Sequence, residues 1–97
     1  MNEADQPRAR RVLVWIPSLL RDLTGGLETV SAEGRTIGEV ITDLDHQFPG
    51  LQDRLCSGNN LRPGIAVAIN AQLAPLGWLQ PVDGGSEIHF LPAISGG

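Results

Sequence analysis

One stretch of this chain repeats its apolar residues with the period of an α-helix, and it brings its own start signal. In Thr36-Ile37-Gly38-Glu39 the threonine hydroxyl can accept from a first-turn amide while the glutamate reaches back, a capping box. Ile37, Val40, Ile41, Leu44 and Phe48 follow at helical spacing and form a single apolar stripe, with Glu39, Asp43 and Asp45 left in water. Pro49-Gly50 ends the helix. A helix with one apolar stripe needs a layer to lie on, and the other periodic segments of the chain have strand character.

Val12-Leu13-Val14-Trp15-Ile16 is a β-branched run closed by Pro17, with Val12, Val14 and Ile16 on one face and Leu13 and Trp15 on the other. Leu19 to Leu23 can make a helical turn before Thr24-Gly25-Gly26, and Leu27 to Ala32 can return as a second strand, a hairpin ending at Glu33-Gly34. Beyond the helix, Leu51 to Leu55 adds a turn and Ser57-Gly58-Asn59-Asn60 reads as a loop. Ile65 to Ile69 alternates large and small residues, so Ile65, Val67 and Ile69 face inward and Ala66 and Ala68 outward. Asn70 opens a turn, Ala71 to Pro81 is irregular, and Asp83-Gly84-Gly85-Ser86 turns into a last strand from Glu87 to Leu91. Four strands on one helix make an α+β two-layer sandwich.

With 97 residues, 41% hydrophobic and 19% charged, the chain is expected to be one ordinary globular domain, 12–91, between a disordered arm, 1–11, and an extended tail, 92–97. A formal charge of −4 and a sequence pI near 4.9 disfavour nucleic acid as a partner. No apolar run reaches the ~20 residues a bilayer demands. Cys56 is a lone cysteine and no secretory leader pattern is present, so a reducing cytoplasm is the expected compartment.

If the first and last strands are central neighbours, the sheet face away from the helix carries Leu13, Trp15, Ala66, Ala68, His89 and Leu91. That set is too apolar for open water. Either a loop such as 71–81, with Trp78, folds over it, or it is a surface for a partner, since aromatics among small residues are typical of interface cores. The chain then ends on Gly96-Gly97, after the apolar run Ile88 to Ile94. Two residues without Cβ can thread a channel too narrow for side chains, which suits a carboxyl terminus that is itself a substrate; a plain tail is the other reading.

Ile16-Pro17-Ser18-Leu19-Leu20-Arg21 with Thr24-Gly25-Gly26, then Thr36-Ile37-Gly38-Glu39-Val40, then Leu91-Pro92-Ala93-Ile94-Ser95-Gly96-Gly97 resemble the ubiquitin-like sulfur carriers of the ThiS and MoaD type, from Val12 to Gly97. The resemblance implies a β-grasp fold, a mixed sheet of four to five strands on one main helix. It implies that an E1-like adenylyltransferase, holding ATP and Mg itself, adenylates Gly97, that a sulfurtransferase step turns the acyl adenylate into a thiocarboxylate, and that a sulfur-accepting biosynthetic enzyme is the second partner. Gly96 and Gly97 would enter the partner's site, residues from Pro92 through Ile94 to Ser95 would form the neck, and the face bearing Leu91 would dock. Leu13 and Trp15 stand where relatives often have polar residues, which suggests a partner particular to this protein or a self-contact. The Asp83-Gly84-Gly85 turn departs from the usual Asp-Gly-Asp, which bears on the subfamily only. Cysteine formation, another thio-metabolite pathway and molybdopterin synthesis are the candidate destinations of the sulfur, the first two closest in look.

The residues offer little other chemistry. All seven basic residues are arginines, so a GxxxxGK phosphate loop is ruled out and ATP belongs to a partner. His46 and His89 lack the spacing and companions of a metal site and read as surface or partner contacts. Cys56, after a helix, reads as passive rather than as a sulfur relay. Asp43, Asp45 and Asp53 read as a solvated face. The competing function is a ubiquitin-like modifier joined through Gly97 to lysines of target proteins; with no lysine of its own, this chain could not form lysine-linked polymers.

Overall fold

The β-branched alternation at the start of the chain makes strand β1, Arg11–Trp15, with Val12 and Val14 buried and Leu13 and Trp15 half-exposed. The computed structural model describes residues 11–92, and of Pro92 the backbone alone. Arg11, expected in the arm, belongs to the sheet: it pairs with Glu33 across the strands, and their side chains approach to 3.6 Å. Residues 1–10 of the expected arm and 93–97 of the expected tail lie outside the described residues.

After Pro17 the chain makes a 3-10 turn, Ser18–Leu20, and reverses at Gly25 and Gly26, whose φ values of +69° and +90° favour glycine. The buried Thr24 hydroxyl, 2.9 Å from the Leu27 carbonyl oxygen, holds that turn. Strand β2 therefore starts at Thr29 rather than Leu27 and runs to Glu33, antiparallel to β1.

Helix α1, Ile37–Gln47, begins where the capping box puts it. Thr36 Oγ1 accepts from the Glu39 amide at 3.2 Å, and Glu39 Oε1 accepts from the Arg35 amide at 2.8 Å, one residue further back than the usual box. Ile37, Val40, Ile41 and Leu44 are fully buried, each contributing about 1.5–3 kcal/mol relative to exposure. Asp45 is not simply solvated. Half-buried, its Oδ1 accepts from the Gly50 and Gln52 amides at 3.0 and 3.1 Å and so fixes the turn into a second, short helix, α2, Leu51–Leu55.

The expected loop at 57–60 is instead a small hairpin, β3, Cys56–Ser57, with β4, Asn60–Leu61. Strand β5, Ile65–Ile69, is followed by a turn in which Asn70 and Ala71 take φ values of +51° and +71°, and that turn creates β6, Gln72–Leu73, inside the stretch expected to be irregular. A 3-10 turn, Gly77–Leu79, leads back under the helix before β7, Glu87–Pro92. The main sheet has five strands in the order β2-β1-β7-β5-β6; β1 and β7 are parallel and central, and the other pairs are antiparallel. One core, between the sheet and α1, includes Val12, Val14, Val67, Ile88 and Phe90.

Candidate functional site

The face of the sheet opposite α1 is assembled by register. Trp15 lies beside His89, His89 beside Ala68, Ala68 beside Leu73, while Ala66 lies beside Leu91. Because β1 and β7 are parallel, Trp15 and His89 stack with ring centroids 5.3 Å apart and planes 8° from parallel. Glu87, two residues back on the same face, accepts from Trp15 Nε1 at 3.3 Å. The indole is thus held on two sides, in a patch whose edges remain in water.

Five of the six residues expected on this face are at least partly open, and Leu91 is 43% exposed. Ala68 differs: it is only 7% exposed, because the larger His89 and Leu73 flank it across the two neighbouring strands. The alanines leave the face shallow between the bulkier side chains. Leu73, 70% exposed, belongs to the same row and was missed by sequence reasoning, since a two-residue strand leaves no periodicity to read. Glu87 was missed as well; its alternation with His89 and Leu91 was the available signal.

The alternative that segment 71–81 covers this face does not hold. Trp78 packs on the other side, against α1: a Cβ placed on Gly38 would lie 2.5 Å from Trp78 Cε2, so the glycine is what lets the ring approach the first turn of the helix. The Ile37 amide donates to the Gln80 carbonyl and the Val82 amide to the Arg35 carbonyl, tying the segment to the helix start.

Elsewhere the structure offers little chemistry. Cys56 is buried, and loss of hydration pushes its thiol from the ordinary 9.0 up to about 11, only partly offset by the Arg62 guanidinium. Such a thiol is a poor nucleophile near neutrality. No group of three or more His, Cys, Asp or Glu side chains among the described residues could hold a metal, and no helix among them is long and apolar enough to cross a membrane. Of the expected tail sites, Pro92 ends β7 opposite Ile65, while Ile94, Gly96 and Gly97 lie outside the described residues.

A mixed sheet whose first and last strands are parallel neighbours at its centre, crossed by one main helix, defines the ubiquitin-like β-grasp class. The family model described as the ThiS family matches residues 14–97. Sulfur carrier protein CysO of Mycobacterium tuberculosis is 35% identical over 91 residues, spanning 89% of this chain and 98% of that protein. Among solved structures, the crystal structure of the Amycolatopsis orientalis BexX/CysO complex contains a chain that superimposes with a TM-score of 0.82 at 35% identity, covering 89% of this chain and 99% of that one. The small archaeal modifier protein 1 of Methanosarcina acetivorans shares the fold at a TM-score of 0.76 and 22% identity, over 92% of this chain and 98% of that one. The chain belongs to the ThiS family and, like its CysO relative, it is a sulfur carrier protein, a co-substrate for enzymes rather than an enzyme.

Proposed function

We propose that this protein carries sulfur as a thiocarboxylate on Gly97, and that the open sheet face bearing Leu91 and Trp15 is what its partner enzymes grip. The observation that carries the reading is that the family match runs through residue 97, so that Gly96-Gly97 lies inside the shared region, separated in sequence by only Ala93, Ile94 and Ser95 from the strand that bears Leu91.

The chemistry follows from the weakness of a carboxylate as an electrophile. Its oxygen must first become a good leaving group, so the Gly97 carboxylate attacks the α-phosphate of ATP on an E1-like adenylyltransferase, with Mg there to screen the phosphates, and pyrophosphate departs. Sulfide-level sulfur, as hydrosulfide, then attacks the acyl carbon, the bond from that carbon to the phosphate oxygen breaks, AMP leaves and the S–H proton is lost to solvent. The resulting thiocarboxylate presents a soft, ionised sulfur to an electrophilic intermediate on the accepting enzyme. All three steps take place in partner sites, in the cytoplasm, and this chain supplies reach and docking. Cysteine formation is the destination favoured by the likeness to CysO.

Intact-mass measurement after co-production with an activating enzyme tests the reading. A sulfur-for-oxygen gain that disappears when Gly97 is deleted is the expected result. Lysine adducts on other proteins without that gain would report a modifier, and an unchanged mass would overturn both.

A further inference from the structure

Strand β2 is an edge of the main sheet, and half of its backbone groups point away from β1. The Ile16 amide donates to the Glu28 carbonyl, so by antiparallel alternation the groups of Val30 and Ala32 face β1 and those of Thr29, Ser31 and Glu33 face outward. Such a row is a template for another strand unless something blocks it.

Two side chains from the last turns of α1 reach this row. The Glu33 amide donates to Asp43 Oδ2 at 3.0 Å, and Gln47 Nε2 donates to the Ser31 carbonyl at 2.9 Å. The two are themselves joined, since Gln47 Nε2 also lies 3.1 Å from Asp43 Oδ2. A carboxylate thus occupies an outward donor at the end of the strand, and a carboxamide an outward acceptor at its middle. Around them lies an open groove of about 370 Å³ lined by Arg11, Ser31, Ala32, Glu33, Asp43 and Gln47.

We propose that Asp43 and Gln47 form a latch that closes the β2 edge against strand addition by a second copy of this chain. The second copy is the fitting occupant because the residues of β2 are compatible with their own antiparallel image about Ser31. In an antiparallel pairing of β2 with itself, Ser31 falls opposite Ser31 and Thr29 opposite Glu33, so every outward group meets an outward group and no like charges face each other. The inner positions match too, Val30 falling opposite Ala32. A dimer of this kind would fuse two five-stranded sheets into one, so a carrier that works singly needs the edge closed. The inference concerns the edge opposite β6 and stands or falls independently of the chemistry at Gly97.

Sedimentation velocity over a range of concentrations tests it, with folding monitored by circular dichroism. Wild type is expected to remain a monomer. Asp43→Ala combined with Gln47→Ala is expected to associate at least about tenfold more tightly than wild type, and adding Ser31→Pro, which deletes an outward edge amide that a proline can replace without breaking the β1 pairing, is expected to restore the monomer. A folded double variant that stays monomeric, association that survives Ser31→Pro, or a wild type that associates equally well would each overturn the proposal. Should the double variant not fold, wild type alone decides: hydrogen exchange at the Glu33 amide is expected to be at least about tenfold slower than in a free peptide, and exchange at the free-peptide rate would overturn it.

Discussion

The two faces of the central strands are built from adjacent residues yet do different work. On β7, Ile88 and Phe90 point into the core while His89 and Leu91 point away from it; on β1, Val12 and Val14 do the same against Leu13 and Trp15. The inner set is β-branched or aliphatic with one phenylalanine, packed in one buried cluster with the apolar stripe of α1. The outer set joins one tryptophan and one histidine to small alanines and partly wet leucines, held by a stack and a single long hydrogen bond. Stability is concentrated on the first face, and the second is the one we propose for recognition, because burial free energy scales with area removed from water, and only the outer area is still available to a partner.

The sharpest way to break this comparison is to truncate neighbours on one strand. Ile88→Ala is expected to cost about 2–5 kcal/mol in urea unfolding, the range for emptying a fully packed aliphatic site. Leu91→Asp, three residues on, is expected to change stability by less than about 1 kcal/mol. Equal losses would show that the outer leucine is core. A second test concerns the helix side, where Trp78 leans on Gly38. Gly38→Ala forces the indole off its seat, and a loss of about 1–3 kcal/mol with a changed tryptophan emission is expected; unchanged emission would contradict the contact. A smaller loss, about 1 kcal/mol, is expected from Thr36→Ala, measured by the same unfolding curves.

The pH dependence is the least of these effects. Below pH 9.0 folded and unfolded chains both keep the Cys56 proton; between 9.0 and about 11 only the unfolded chain gives it up, so this thiol's contribution to stability is intact below 9.0 and falls as pH rises through that window. Cys56→Ala should therefore lose less stability than wild type between those two values. Equal slopes would mean that the thiol is not desolvated.

Much of this division was legible beforehand. The capping box fixed the start of α1 to the residue, and period-two alternation assigned inner and outer positions on β1, β5 and β7, because both signals are local. What escaped depends on distant contacts or on turn geometry. β6 exists because Asn70 and Ala71 adopt positive φ, which an alanine gives no hint of. The burial of Ala68 comes from its neighbours' size rather than its own, and Asp45 looked solvated because its bonds run to backbone amides beyond the proline that ends the helix. The side of the sheet on which Trp78 would settle was undecidable from periodicity; the glycine at position 38 makes sense only once the ring is seen against it. Among the expected site residues, those of the sheet face come together, whereas Gly96 and Gly97 lie outside the described residues.

The most direct measurement is the rate at which a folded Leu91→Asp chain acquires the sulfur-for-oxygen mass gain from its activating enzyme, side by side with wild type. The account predicts a fall of at least about tenfold with melting temperature nearly unchanged. Loading at the wild-type rate would contradict it, since the open face would then have no part in presenting the C-terminal glycine.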